Sequence, residues 1–190
     1  MIPEKSVSVR LSEAVAAGDV TAFDTLLQSH PEEFRYDDGR CSWLSSAADE
    51  GQIAILQYLC DRGVDVNERK AAHKLVPEGV VVTAANRGHL EATRWLLDRG
   101  AILNHTVRGQ VRCFALSGAA SHGRVDIVQL LLERGAELNA SWAEMTALDH
   151  AATYGHRDVY EYLRSVGGKT AAEVNPKVAA PPNKKRRGKI

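Results

Sequence analysis

The chain has 190 residues, 44% of them hydrophobic and 25% charged, with 24 basic against 24 acidic side chains. One domain with extensions is expected at this length, and no apolar run reaches the ~18 residues that a membrane span requires. The N-terminus lacks the charged-then-apolar order of a secretory leader, and the three scattered cysteines, Cys41, Cys60 and Cys113, argue against a disulfide framework and for an intracellular compartment.

Residues 1–10 read as a lead-in. Residues 11–36 make a first unit, a helix pair with Leu11, Ala14, Val15, Phe23, Leu26 and Leu27 on one face and Asp19, Thr21 and Asp24 on the other; Pro31 stops the second helix. The second unit, 37–67, has Ser42-Trp43-Leu44-Ser45 opening its first helix and closes on Arg62-Gly63-Val64-Asp65-Val66-Asn67. Cys60 falls at a core slot there, so a buried thiol is expected. The third unit, 68–104, starts with a long connection, Glu68–Glu78, and places Trp95 on the apolar stripe of its second helix. The fourth, 105–139, has a lengthened finger, Asn104–Arg112, and carries the stripe Val125, Ile127, Val128, Leu131 and Leu132. The fifth, 140–168, ends with Tyr160 and Tyr162, which are expected to seal the last open face. Residues 169–190, with Pro176, Pro181 and Pro182 and a basic run, read as a disordered tail.

The units share one frame. Gly18, Gly51, Gly88, Gly123 and Gly155 recur at spacings of 33, 37, 35 and 32 residues, and a second glycine follows twelve residues later at Gly63, Gly100, Gly135 and Gly167, with His30 in that slot of the first unit. Leu26, Leu59, Leu96, Leu131 and Leu163 each lie eight residues after the first glycine. A small pair precedes it: Ala14-Val15, Ala47-Ala48, Ala84-Ala85, Ala119-Ala120 and Ala151-Ala152. Small residues let helices approach closely, and glycine past a helix end takes the left-handed conformation that a β-carbon disfavours. Helices this short are marginal alone, so stacking must supply the stability. The frame resembles the ankyrin repeat, whose period is about 33 residues, over residues 11–168. The resemblance implies an all-α solenoid of about five stacked helix-turn-helix units. The chain departs from the family's T-P-L-H signature. Only leucine survives in the second unit, Gly79-Val80-Val81-Val82 fills the slot in the third, and Asp149 takes the histidine place in the fifth.

Catalytic and metal patterns are absent. The seven histidines show no tight ligand spacing and no C-x-x-C accompanies them, so neither metal nor cofactor is expected; His89 and His156 occupy the family's G-H position, which implies a structural role. No nucleophile elbow or phosphate-cradling loop is present, Ser117 and His122 do not share a helix face, and Asp149 diverges from His150. The expectation is no enzyme and no small-molecule substrate.

In the family, finger tips and the exposed side of the first helices line a concave groove. Carried over, the helix positions are Asp49 and Glu50, Asn86 and Arg87, Ser121 and His122, Thr153 and Tyr154. The finger positions include Cys41, His73, Lys74, Val111, Cys113, Trp142 and Met145. The row is acidic at its N-terminal end, polar in the middle with Arg87 and His122, and apolar-aromatic where Trp142, Met145 and Tyr154 form a patch suited to anchoring a protein. Without the six cations of the last fourteen residues, the chain carries 18 basic against 24 acidic groups, so its body is no nucleic-acid surface. Lys184, Lys185, Arg186 and Arg187 resemble a short nuclear-import address and offer weak contact with nucleic acid or acidic lipid. The expected function is a non-catalytic adaptor or scaffold for a protein partner, monomeric alone and cytoplasmic, or nuclear in a cell with a nucleus. The alternatives are a dedicated inhibitor of a toxin or enzyme, and a nucleic-acid or nuclear regulator acting through the tail.

Overall fold

The computed structural model describes residues 5–34, 43–67, 79–107, 109–142 and 144–176. The expectations placed on Cys41, His73, Lys74 and the run Lys184–Arg187 lie outside these residues. In chain order the elements are α1 (Val7–Ala17), α2 (Val20–Ser29), a 3₁₀ turn (Pro31–Phe34), α3 (Trp43–Asp49), α4 (Ile53–Asp61), α5 (Val80–Arg87) and α6 (Leu90–Asp98). They continue with β1 (His105–Val107), β2 (Gln110–Arg112), α7 (Phe114–Ser121), α8 (Val125–Glu133), β3 (Ser141–Trp142), β4 (Met145–Thr146), α9 (Ala147–Thr153), α10 (Arg157–Ser165) and α11 (Ala171–Val174).

The first helices α1, α3, α5, α7 and α9 stack one on the next, and the second helices α2, α4, α6, α8 and α10 stack behind them. Two antiparallel hairpins project as fingers, with His105 opposite Arg112 and Trp142 opposite Met145. The recurrent leucines fill the seam between the two rows: Leu59, Leu96, Leu131 and Leu163 are at most 1% exposed. Ala47, Ala48, Ala84, Ala85, Ala119 and Ala120 are wholly covered, because no larger side chain fits where the first helices touch.

Two side-chain ladders fasten the units, and the first uses His89 and His156, whose G-H position implied a structural role. In the first, the residue after each first glycine reaches back one unit. Gln52 Nε2 donates to Ala16 O (2.8 Å), His89 Nε2 to Asp49 O (2.8 Å) and His156 Nε2 to Ser121 O (2.9 Å). A carbonyl only accepts, so both imidazoles carry their proton on Nε2. Arg124 lies over Gly88 in the same way. A Cβ on Gly123 would stand 2.5 Å from His156 Nδ1, so glycine is required there both by φ +68° and by the ring that lies on it. Around Gly155, in the last pair, nothing among the described residues approaches that position within 4 Å. In the second ladder the asparagine that closes each unit reaches forward. Asn67 donates to Gly100 O (3.1 Å) and accepts from Ile102 N (2.9 Å), Asn104 does the same with Gly135 O (2.8 Å) and Glu137 N (2.9 Å), and Asn139 accepts from Lys169 N (2.8 Å).

Several expectations are adjusted. Helix α1 begins at Val7, inside the stretch read as lead-in, because Ser6 Oγ caps the Val9 amide. Helix α11 lies inside the stretch read as tail, held by reciprocal capping between Thr170 and Glu173 and by the Arg164–Glu173 ion pair (2.9 Å). Cys60 is only half-buried, whereas Cys113, expected at a finger contact position, is buried. Trp95 packs half-buried against the core with the Arg99 guanidinium 4.6 Å over its ring; Tyr160 and Tyr162 are likewise half-buried. In the fifth unit Thr146 and Asp149 cap each other at the start of α9. The Asp149 carboxylate also accepts from Ala171 N (2.7 Å), tying α11 to the last unit.

Candidate functional site

The described residues of the expected contact row lie at first-helix termini and on the fingers, and several of them are engaged within the fold. At its N-terminal end Asp49 accepts from Arg87 Nε at 2.6 Å, and that hydrogen bond and charge raise the affinity of Arg87 for its proton. The acidic N-terminal end is thus partly neutralised by Arg87 across the α3–α5 seam, and Glu50 stays exposed. These groups border a hollow of about 330 Å³ with Ser12, Val15, Ser45 and Ser46.

In the middle, Asn86 is half-buried and turned onto Gly118 of α7, where its Oδ1 is enclosed without a hydrogen-bond partner. It lies in the seam between helices, because Gly118 leaves the space that a side chain would take. Ser121 Oγ donates to Gly118 O (2.8 Å), and His122 Nδ1 donates to the same carbonyl (2.9 Å), which leaves Nε2 an acceptor on an exposed ring.

The C-terminal end is built from rings. Phe114 meets Trp142 edge-on at 5.8 Å, Trp142 stacks on His150 at 5.7 Å and 23°, and His150 stacks on Tyr154 at 6.4 Å and 6°. The line continues backwards to His105, 6.0 Å from Phe114. Tyr154 is 61% exposed, Thr153 is exposed, and Val111 at the neighbouring finger is exposed too; Met145 sits half-buried opposite Trp142. Arg112 joins the two fingers through Nη1 to Ser141 O (3.0 Å). Cys113 takes no part, since burial pushes its thiol up to about 11. The residue that sequence reasoning missed is His150. It is 6% exposed, and burial lowers its proton affinity while Asp149 opposes that shift. No residue type or spacing marks an imidazole as the middle plate of a stack.

Among the described residues no group of three or more His, Cys, Asp or Glu side chains gathers for a metal ion, and no helix is long and apolar enough to cross a membrane. Comparison with curated proteins finds no match. A family model described as ankyrin repeats, in three copies, matches residues 81–177, just over half of the chain. Ankyrin repeats are generally protein–protein interaction modules and typically non-catalytic. The matched stretch runs from the start of α5 through α11, and the same fasteners extend upstream through Gln52 and His89 to α1–α4, which lie outside the match. Stacked helix pairs, projecting fingers and the family model agree: the chain belongs to the ankyrin-repeat family.

Proposed function

We propose that the protein is a non-catalytic adaptor or scaffold that holds a protein partner on its finger and first-helix side. Trp142, Met145 and Tyr154 supply most of the affinity, and Glu50 and His122 orient the partner through rim contacts. The observation that carries this reading is the ring stack. Tyr154 is largely exposed, yet its face lies on a fixed support of His150, Trp142 and Phe114. An aromatic anchor that is already ordered forfeits little conformational freedom on binding.

The test is capture from the native host, repeated with Tyr154→Ala and with Trp142→Ala/Tyr154→Ala. Tyr154 is exposed, so its truncation leaves the fold intact; the double variant should weaken capture by roughly 2 kcal/mol or more, about thirtyfold. Folded variants that capture the partner undiminished would remove the patch from the proposal. Deleting residues 177–190 should leave capture unchanged. A steep salt dependence that vanishes with that deletion would instead favour nucleic-acid binding through the tail.

A further inference from the structure

His150 sits at the partner surface but offers it nothing directly. Both ring nitrogens are enclosed without a hydrogen-bond partner, an arrangement with a free-energy cost in any fold. Its ring instead serves as the spacer between Trp142 and Tyr154. We propose that His150 makes the aromatic patch acid-releasable: on taking up a proton the ring leaves the stack, Trp142 and Tyr154 lose their common support, and the partner is let go. The release of a partner rests on the function proposed above; the change in the stack does not.

A neutral imidazole has one N–H to leave unmet, whereas the imidazolium has two, and it carries a charge away from water. The faces of Trp142 and Tyr154 attract a cation, but burial is the larger effect and disfavours the charged ring. Among the surroundings Asp149 is the one charge that opposes this shift, and its effect is the smaller. Asp149, on the same helix, spends its carboxylate on the Thr146 and Ala171 amides. On α7, His122 is tied to Gly118 O. On the fingers, Glu144 is exposed and Arg112 holds Ser141 O. On α10, Arg157 pairs with Glu161, Arg164 leaves the helix to pair with Glu173, Asp158 is exposed, and Tyr160 and Tyr162 are half-buried. A ring freed into water titrates near the ordinary value of about 6.5, and the stacked ring titrates lower. The opened form therefore gains about tenfold in population for each pH unit below that value, until the stacked ring itself is protonated.

The test uses the full chain without any partner. The indole Nε1–H resonance of Trp142, assigned with Trp142→Phe, is followed by ¹H–¹⁵N spectra from about pH 7.5 to about pH 5, beside His150→Leu and His150→Gln. In the native chain it should move with one midpoint below the ordinary histidine value while the Trp43 and Trp95 indoles and the far-ultraviolet dichroism hold still. Either folded variant should be flat. A Trp142 resonance that stays put down to the lowest pH, or the same movement in a folded His150 variant, overturns the proposal. Because no partner is present, this outcome is separate from whether Trp142 and Tyr154 bind one.

Discussion

Replacing Gly123 and Gly155 by alanine, one at a time, should give two different losses of stability, although both residues sit in the same left-handed conformation at the same place in neighbouring units. Their φ angles are +68° and +76°, so each alanine meets backbone strain of roughly 1–2 kcal/mol. At Gly155 the matter ends there, since nothing among the described residues approaches the new methyl within 4 Å. At Gly123 the methyl would lie 2.5 Å from His156 Nδ1 and 3.0 Å from its Cγ, so the ring must withdraw and its 2.9 Å bond to Ser121 O is lost. A net hydrogen bond is worth roughly 0.5–1.5 kcal/mol, which puts Gly123→Ala at about 2–3 kcal/mol, ahead of Gly155→Ala by about 1 kcal/mol. Urea unfolding followed by circular dichroism, with an unchanged slope, reads the difference. A His156→Ala background closes a double-mutant cycle, in which the extra cost at Gly123 should vanish. Equal losses at the two glycines, or a gap that survives without His156, would refute the fastening role.

Two further outcomes follow from the same geometry. Hydrogen bonds from Thr170 and the pairing with Arg164 hold Glu173 down at about 2. Its contribution to α11 is therefore fully present above the ordinary glutamate range and lost as pH falls towards about 2, so the protection of the Ala171–Val174 amides, taken relative to their intrinsic exchange at each pH, should fall through that acid window and hold constant above it. In a chain with Cys41→Ser, a thiol reagent at about pH 8 should modify Cys60 well before Cys113, because a thiol at about 11 has only roughly one part in a thousand as thiolate there; Cys113 reacting first would contradict its enclosure.

The array was legible because its determinants repeat. Glycine, leucine and small-pair positions recur at nearly constant spacing, and each has a local cause, so Leu131 and Ala119 declare their burial without a partner in view. A structural role for His89 and His156 was legible, but the partners of the fasteners were not, since Gln52 and Ala16, or Asn104 and Glu137, meet only when one unit lies on the next. The same holds for the partners of Asn86 and Arg87: their slots are groove-facing by family pattern, and here Asn86 lies against Gly118 while Arg87, still exposed, pairs with Asp49. Trp142 and Tyr154 were singled out by type, yet the imidazole joining them was invisible because a histidine's setting decides its role. At the chain ends, Ser6 and Thr170 start short helices through capping, a signal too brief to stand out from an apolar periodicity.

The two ladders pull in opposite directions along the chain. A unit in the middle is gripped from behind by its predecessor's asparagine and from ahead by its successor's Gln, His or Arg, so it cannot peel away without releasing both neighbours. The outermost units escape one of these grips, and the second unit has no asparagine behind it, since the first unit carries none. Loss of structure should therefore begin at the margins and advance inwards, and the aromatic cluster, lodged in the last two units, stands closest to the C-terminal margin, where that unravelling would start.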